Sequence, residues 1–74
     1  MQNFFSSSMG IAFNSLRVGK KYRLVNYREV FDFELMEIVD RHVFRLKDIH
    51  TLEEYFMSDL LRFGRGNDFS IIER

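Results

Sequence analysis

From Lys21 to Glu54 charged residues are interleaved with apolar ones in three separate runs, at strictly every second position in two of them, and no other feature of the chain limits its fold so tightly. In "KYRLV" (21–25), Lys21 and Arg23 alternate with Tyr22 and Leu24. In "FELMEIV" (33–39), Glu34 and Glu37 are set among apolar residues, and in "HVFRLKDI" (42–49), Arg45 and Lys47 alternate with Phe44 and Leu46. Successive side chains of a strand point to opposite faces, so the first and third runs each have one apolar face and one wet face. Parallel strands sandwiched between helices are apolar almost throughout, so the alternation points to an antiparallel sheet.

The second and third runs, separated by Asp40 and Arg41, form a hairpin in which Ile38 faces Phe44 and Met36 faces Leu46 on one side. On the other side Glu37 faces Arg45. A tight connection at His50 and Thr51 then sets Phe44 opposite Met57, Leu46 opposite Tyr55 and Lys47 opposite Glu54, leaving Phe56 on the outer face. This spacing predicts a strand from Thr51 to Met57, one 3-10 turn at Ser58 to Leu61, and a glycine loop through Gly64 and Gly66. A last strand from Phe69 to Glu73 pairs with the first and closes a barrel. The expected class is all-β, a five-stranded antiparallel small barrel.

A rival reading is α+β with a helix at 52–63. Thr51 with Glu54 has capping-box spacing, Leu52, Tyr55, Phe56, Leu60 and Phe63 fall on one stripe, and Gly64 stands where a helix would stop. Asn26 with Glu29 repeats the capping pattern. Two such helices would make a βαβαβ chain, whose strands should not carry the alternating charges seen here.

The runs "VGKKYRL", "FELMEI" and "TLEEYFMSDLLRFGRGNDF", spanning residues 18–72, resemble short bacterial proteins of no established activity. With a long first loop (Asn26 to Asp32), tight hairpins and a helical turn before the last strand, the order of elements resembles the Src-homology-three-type small barrel. That resemblance implies a binding module and carries over no functional residue. The Ala-Leu-Tyr-Asp-Tyr start and the Trp pair of peptide-binding members are missing, and the chain has no Trp. Recognition of proline-rich ligands is therefore not implied.

With 74 residues and no cysteine, the chain is a single domain that folds without a disulfide. Nine Phe and three Tyr supply a core of few, large side chains. Residues 1–16, with Ser6 to Ser8, Gly10 and no periodicity, read as a flexible segment, and residues 17–74 as the barrel domain. The same stretch carries no charge, lacks a basic leader and falls short of the roughly 20 apolar residues of a membrane span. The expectation is a soluble, cytoplasmic protein without membrane contact.

Catalytic signatures are weak. Asp40 with His42 and Asp48 with His50 are acid-x-His pairs, but they lie at the two ends of one run, about 26 Å apart at 3.3 Å per residue, too far to share an ion. No Ser lies in a nucleophile-elbow frame, and adjacent Glu53 and Glu54 diverge on either a strand or a helix. The expected class is a non-enzymatic protein-interaction module, with no cofactor, metal or small-molecule substrate, that contacts a partner or itself through surplus apolar surface. Phe56, Val43, Phe4, Phe5 and Phe13 are the contact candidates. The alternative is a small barrel binding RNA or single-stranded DNA through Lys20, Lys21 and Arg23 of "GKKYR" and Arg62 and Arg65 of "RFGRGND". Eleven basic residues against eleven acidic ones, and a pI of about 6.7, give that alternative no global electrostatic footprint.

Overall fold

The computed structural model describes residues 13–41 and 43–74. Five strands, β1 (Lys21–Asn26), β2 (Glu29–Asp40), β3 (Val43–Asp48), β4 (Glu54–Phe56) and β5 (Ser70–Glu73), form one antiparallel sheet in the order β4-β3-β2-β1-β5. A 3-10 turn at Phe13–Ser15 precedes β1, and a single helical turn, α1 (Met57–Leu60), lies between β4 and β5. The alternation sorts the sheet as expected. Tyr22, Leu24, Phe33, Leu35, Phe44, Leu46 and Ile71 are buried on one face, while the other carries a ladder of charge. There Arg45 donates to Glu54 at 2.7 Å and to Glu37 at 3.2 Å, and these carboxylates hold its guanidinium pKa above the ordinary value.

The β2–β3 register holds at Glu37↔Arg45 and Ile38↔Phe44, then slips: Leu35, rather than Met36, lies opposite Leu46. The cause is a β-bulge between Leu35 and Glu37. Phe31, Phe33 and Leu35 occupy odd positions and Ile38 an even one, so only one extra residue lets both groups face the same core. The β3–β4 register is the expected one, with Leu46↔Tyr55 and Lys47↔Glu54, and with Phe56 opposite Arg45 on the outer face.

The helix at 52–63 does not form. Leu52 has φ +67, outside the right-handed helical region, and three members of the proposed stripe, Leu52, Phe56 and Phe63, are exposed. The turn before the last strand is α-helical rather than 3-10. It is started by Asp59, whose carboxylate accepts the Phe56 N–H at 3.0 Å. The strand expected from Thr51 to Met57 shrinks to β4, because the Asp48 carboxylate gathers the N–H groups of His50 and Thr51 into a loop that runs on to Glu53.

The long first loop is also absent. Tyr27 (φ +50) and Arg28 (φ +68) make a two-residue β1–β2 turn in which both residues take positive φ, the pattern of a type I′ hairpin. Neither is Gly or Asn, so the turn costs about 1–2 kcal/mol per residue. Asp68 offsets that cost: its two carboxylate oxygens accept the Tyr27 N–H at 2.9 Å and the Arg28 N–H at 2.7 Å, and hydrogen bonds to a charged group contribute about 1.5–3 kcal/mol each. The Tyr27 hydroxyl also donates to the Phe63 carbonyl at 3.0 Å.

Although β5 pairs with β1 as expected, the sheet does not close into a barrel. Nine residues after α1 run as loop before β5, and Asn26 of β1 binds that loop on the core side. Its Oδ1 accepts the Gly66 N–H at 2.7 Å, and its Nδ2 donates to the Gly64 carbonyl at 3.0 Å. Loop rather than strand therefore lies between β4 and β5. Residues 13–16, assigned above to the flexible segment, are packed: Leu16 is 5% exposed, and the Phe13 ring meets Phe44 at 5.9 Å and Phe69 at 6.1 Å. A single 3-10 turn is too short to register as periodicity.

Candidate functional site

Twelve residues long, β2 outreaches its neighbours. β1 pairs with it only from Glu29 to Glu34, and Gly19 and Lys20 continue that side to Leu35. Beyond Leu35, among the described residues, β2 has β3 as its only strand neighbour, so residues 36–41 and Val43 belong to a two-stranded arm. Ile38, Val39 and Val43 of this arm are exposed, and Phe56 lies beside it. Val43 and Arg45 are two apart on β3, and Arg45 pairs with Phe56, so Val43 and Phe56 occupy diagonal positions on the same outer face. These two contact candidates are brought together. Phe13 is half-buried in the core, and Phe4 and Phe5 lie outside the described residues. Ile38 and Val39 were missed by sequence reasoning, which treated the Ile38 position as core.

The five cationic candidates do not converge. Lys20 and Lys21 lie at the start of β1, while Arg62 and Arg65 belong to the loop held by Asn26 at its other end, about 17 Å away along the strand at 3.3 Å per residue. Arg23 is committed to Asp32, with Nε and Nη2 donating to the carboxylate at 2.8 and 3.2 Å. Arg65 lies between the rings of Phe13 and Phe69, at 4.6 and 4.7 Å from their centroids.

Asp32, 8% exposed, is the most heavily bonded carboxylate among the described residues. Besides Arg23 it meets Arg74 Nη1 at 3.1 Å and His50 Nε2 at 3.3 Å. The Arg23 hydrogen bonds hold its pKa below the usual carboxylate value, against burial, which acts the other way. His50, one of the acid-x-His residues, is thus occupied with Asp32. Among the described residues no group of three acidic or histidine side chains is arranged to hold a metal ion. No helix among them is long and apolar enough to cross a membrane.

At the opposite end of β2 from the arm, a cleft of about 710 Å³ opens between the β1–β2 turn, the end of β3, β4 and α1. The Phe63 ring stands on its lip, 81% exposed, with the Arg62 guanidinium 5.8 Å from the ring centroid. Tyr55 forms part of the wall. Its hydroxyl is buried without a hydrogen-bond partner, and burial, reinforced by the charges of Asp48, Asp32 and Glu53, pushes its pKa up to about 12. Comparison with known proteins finds no matching family model, no matching curated protein and no matching solved structure.

Proposed function

We propose that this chain is a non-enzymatic protein-interaction module whose two-stranded arm beyond Leu35 docks against the same arm of a second copy. The observation that carries this reading is the exposure of Ile38, Val39 and Val43 on the arm, with Phe56 of β4 sharing the outer face with Val43 and Ile38 on the face of Phe44. A small monomer gains nothing from leaving three large apolar side chains wet on one arm and a fourth, Phe56, wet beside it. The adjoining row Glu54–Arg45–Glu37 alternates in sign, so a two-fold partner laid antiparallel can set each carboxylate near the other copy's Arg45. Register shifts between Leu35 and Glu37 and between Ile38 and Asp40, with charges at Glu37, Asp40 and Arg41, protect the free edge of β2 from backbone pairing. The contact is therefore one of packed side chains.

Kinship with Src-homology-three-type barrels is part of the same proposal. The strand order and the helical turn before the last strand support it, while the two-residue first turn and the open sheet depart from it. Nucleic-acid binding is the weaker reading, because its cations lie apart and two of them are engaged within the fold. Sedimentation of the full chain and of Val39→Lys tests the proposal. A dimer for the natural chain and a folded monomer for the variant are expected. A natural chain that stays monomeric as its concentration rises overturns it.

A further inference from the structure

The cleft beside Phe63 is chemically unlike the arm. Glu29 and Glu53 lie in its lining, and neither carboxylate has a hydrogen-bond or ion-pair partner among the described residues. Asp48 and Asp59 add two more carboxylates, each spending one oxygen on backbone N–H groups, and Arg62 is the single basic residue in the lining. Tyr27, Phe31, Tyr55 and Phe63 supply ring surface. Aromatic faces attract cations through their quadrupole, and carboxylates in the same recess attract them by charge. The raised pKa of Tyr55 comes first from burial, with the charges of Asp48, Asp32 and Glu53 adding to it.

Arg62 shows which ligand suits the lip, since a guanidinium already lies 5.8 Å from the exposed Phe63 ring. The fold builds the same pairing permanently elsewhere, with Arg65 between Phe13 and Phe69. Independently of the self-association above, we infer that this cleft receives an arginine or lysine side chain of a basic partner peptide, its cation seated among the Phe63 ring and the unpaired carboxylates of Glu29 and Glu53. Arg62 holds the lip in the free chain and gives way to the incoming cation. The cleft volume lies within the roughly 300–1,000 Å³ usual for ligand sites. Because the Phe63 ring stands on an open lip, a side chain from another chain reaches it without an opening motion.

The test is an amide-shift titration of the labelled full chain with a capped tetra-arginine peptide, with spermine as the free-amine arm. Saturable shifts centred on Tyr27, Glu29, Glu53, Arg62 and Phe63 are expected. Arg62→Gln removes the internal competitor and should tighten peptide binding about two- to fivefold, the size of one exposed cation–π contact. Arg41→Gln makes the same charge change at the far end of β2 and should leave affinity unaltered. Phe63→Ser should weaken binding while retaining the fold, since it is the Phe63 carbonyl, not the ring, that accepts the Tyr27 hydroxyl. The inference is overturned by absence of saturable shifts, by shifts spread equally over the outer-face carboxylates Glu34 and Glu37, or by equal tightening in Arg41→Gln. Spermine binding at the same amides with the same affinity likewise overturns the assignment to a peptide.

Discussion

Asn26→Ala should be the most damaging single polar substitution in this chain. Asn26 is 3% exposed, and its amide is the link between β1 and the loop that follows α1. Its Oδ1 accepts from the Gly66 N–H at 2.7 Å, and its Nδ2 donates to the carbonyls of Gly64 at 3.0 Å and Leu60 at 3.4 Å. Truncation leaves that N–H without its partner in a part-buried site, a loss of about 1–3 kcal/mol, and the two weaker donations bring the total to about 2–4 kcal/mol. A chain of this length has about 4–11 kcal/mol in all. With a urea slope near 1 kcal/mol/M for so small a domain, the unfolding midpoint should fall by about 2 M or more. Asn26→Asp refines the test. It keeps the acceptor for Gly66 but turns the donor into an oxygen facing two carbonyls, so its damage at neutral pH should lessen as acid protonates it. Asn67→Ala, an exposed change in the same loop, should cost less than about 0.5 kcal/mol. An Asn26→Ala chain as stable as Asn67→Ala would refute the reasoning.

Two other perturbations probe the sheet. Because the Asp32 pKa is lowered in the folded chain, its contribution is complete above the unfolded value of about 3.9 and is lost as pH falls through the lower folded value. Asp32→Asn should therefore cost about 1–2 kcal/mol at pH 7, after discounting the exposed Arg23, and the gap from the natural chain in urea melts should narrow steadily below about pH 4; a constant gap counts against the assignment. Deleting Met36 removes the extra residue of the bulge while leaving Leu35↔Leu46 and Glu37↔Arg45 in register, so a folded chain with both pairs retained is expected by cross-strand amide contacts. Slippage of either pair would show that the bulge itself sets the register.

Where residue type and partner lay within one hairpin, the sequence was enough. Glu37 against Arg45, and Lys47 against Glu54, satisfy charge on one face and bury Leu46 against Tyr55 on the other, so few registers compete. The bulge at Met36 had a sign in the sequence, the shift of apolar residues from odd to even positions, which an unbroken register cannot absorb. The Tyr27–Arg28 turn had no local sign. Its positive φ angles are held by Asp68, forty and forty-one residues away, and a pattern read in short windows does not see such a partner. The same limit governs the surfaces. Phe56 was placed on the outer face by strand alternation alone. The exposure of Phe63 follows from a helix that stops after one turn, and hence from the grip of Asn26 on the loop beyond. Gly66 makes that grip possible: a Cβ there would come within 3.0 Å of the Tyr27 ring and 3.1 Å of the Asp68 carboxylate. The loop glycines thus bring the distant anchor, the strained turn and the exposed ring into one constellation. For that reason the cleft emerges only after folding, and so does the arm, since alternation assigns Ile38 to the core and it is the greater length of β2 that leaves it exposed.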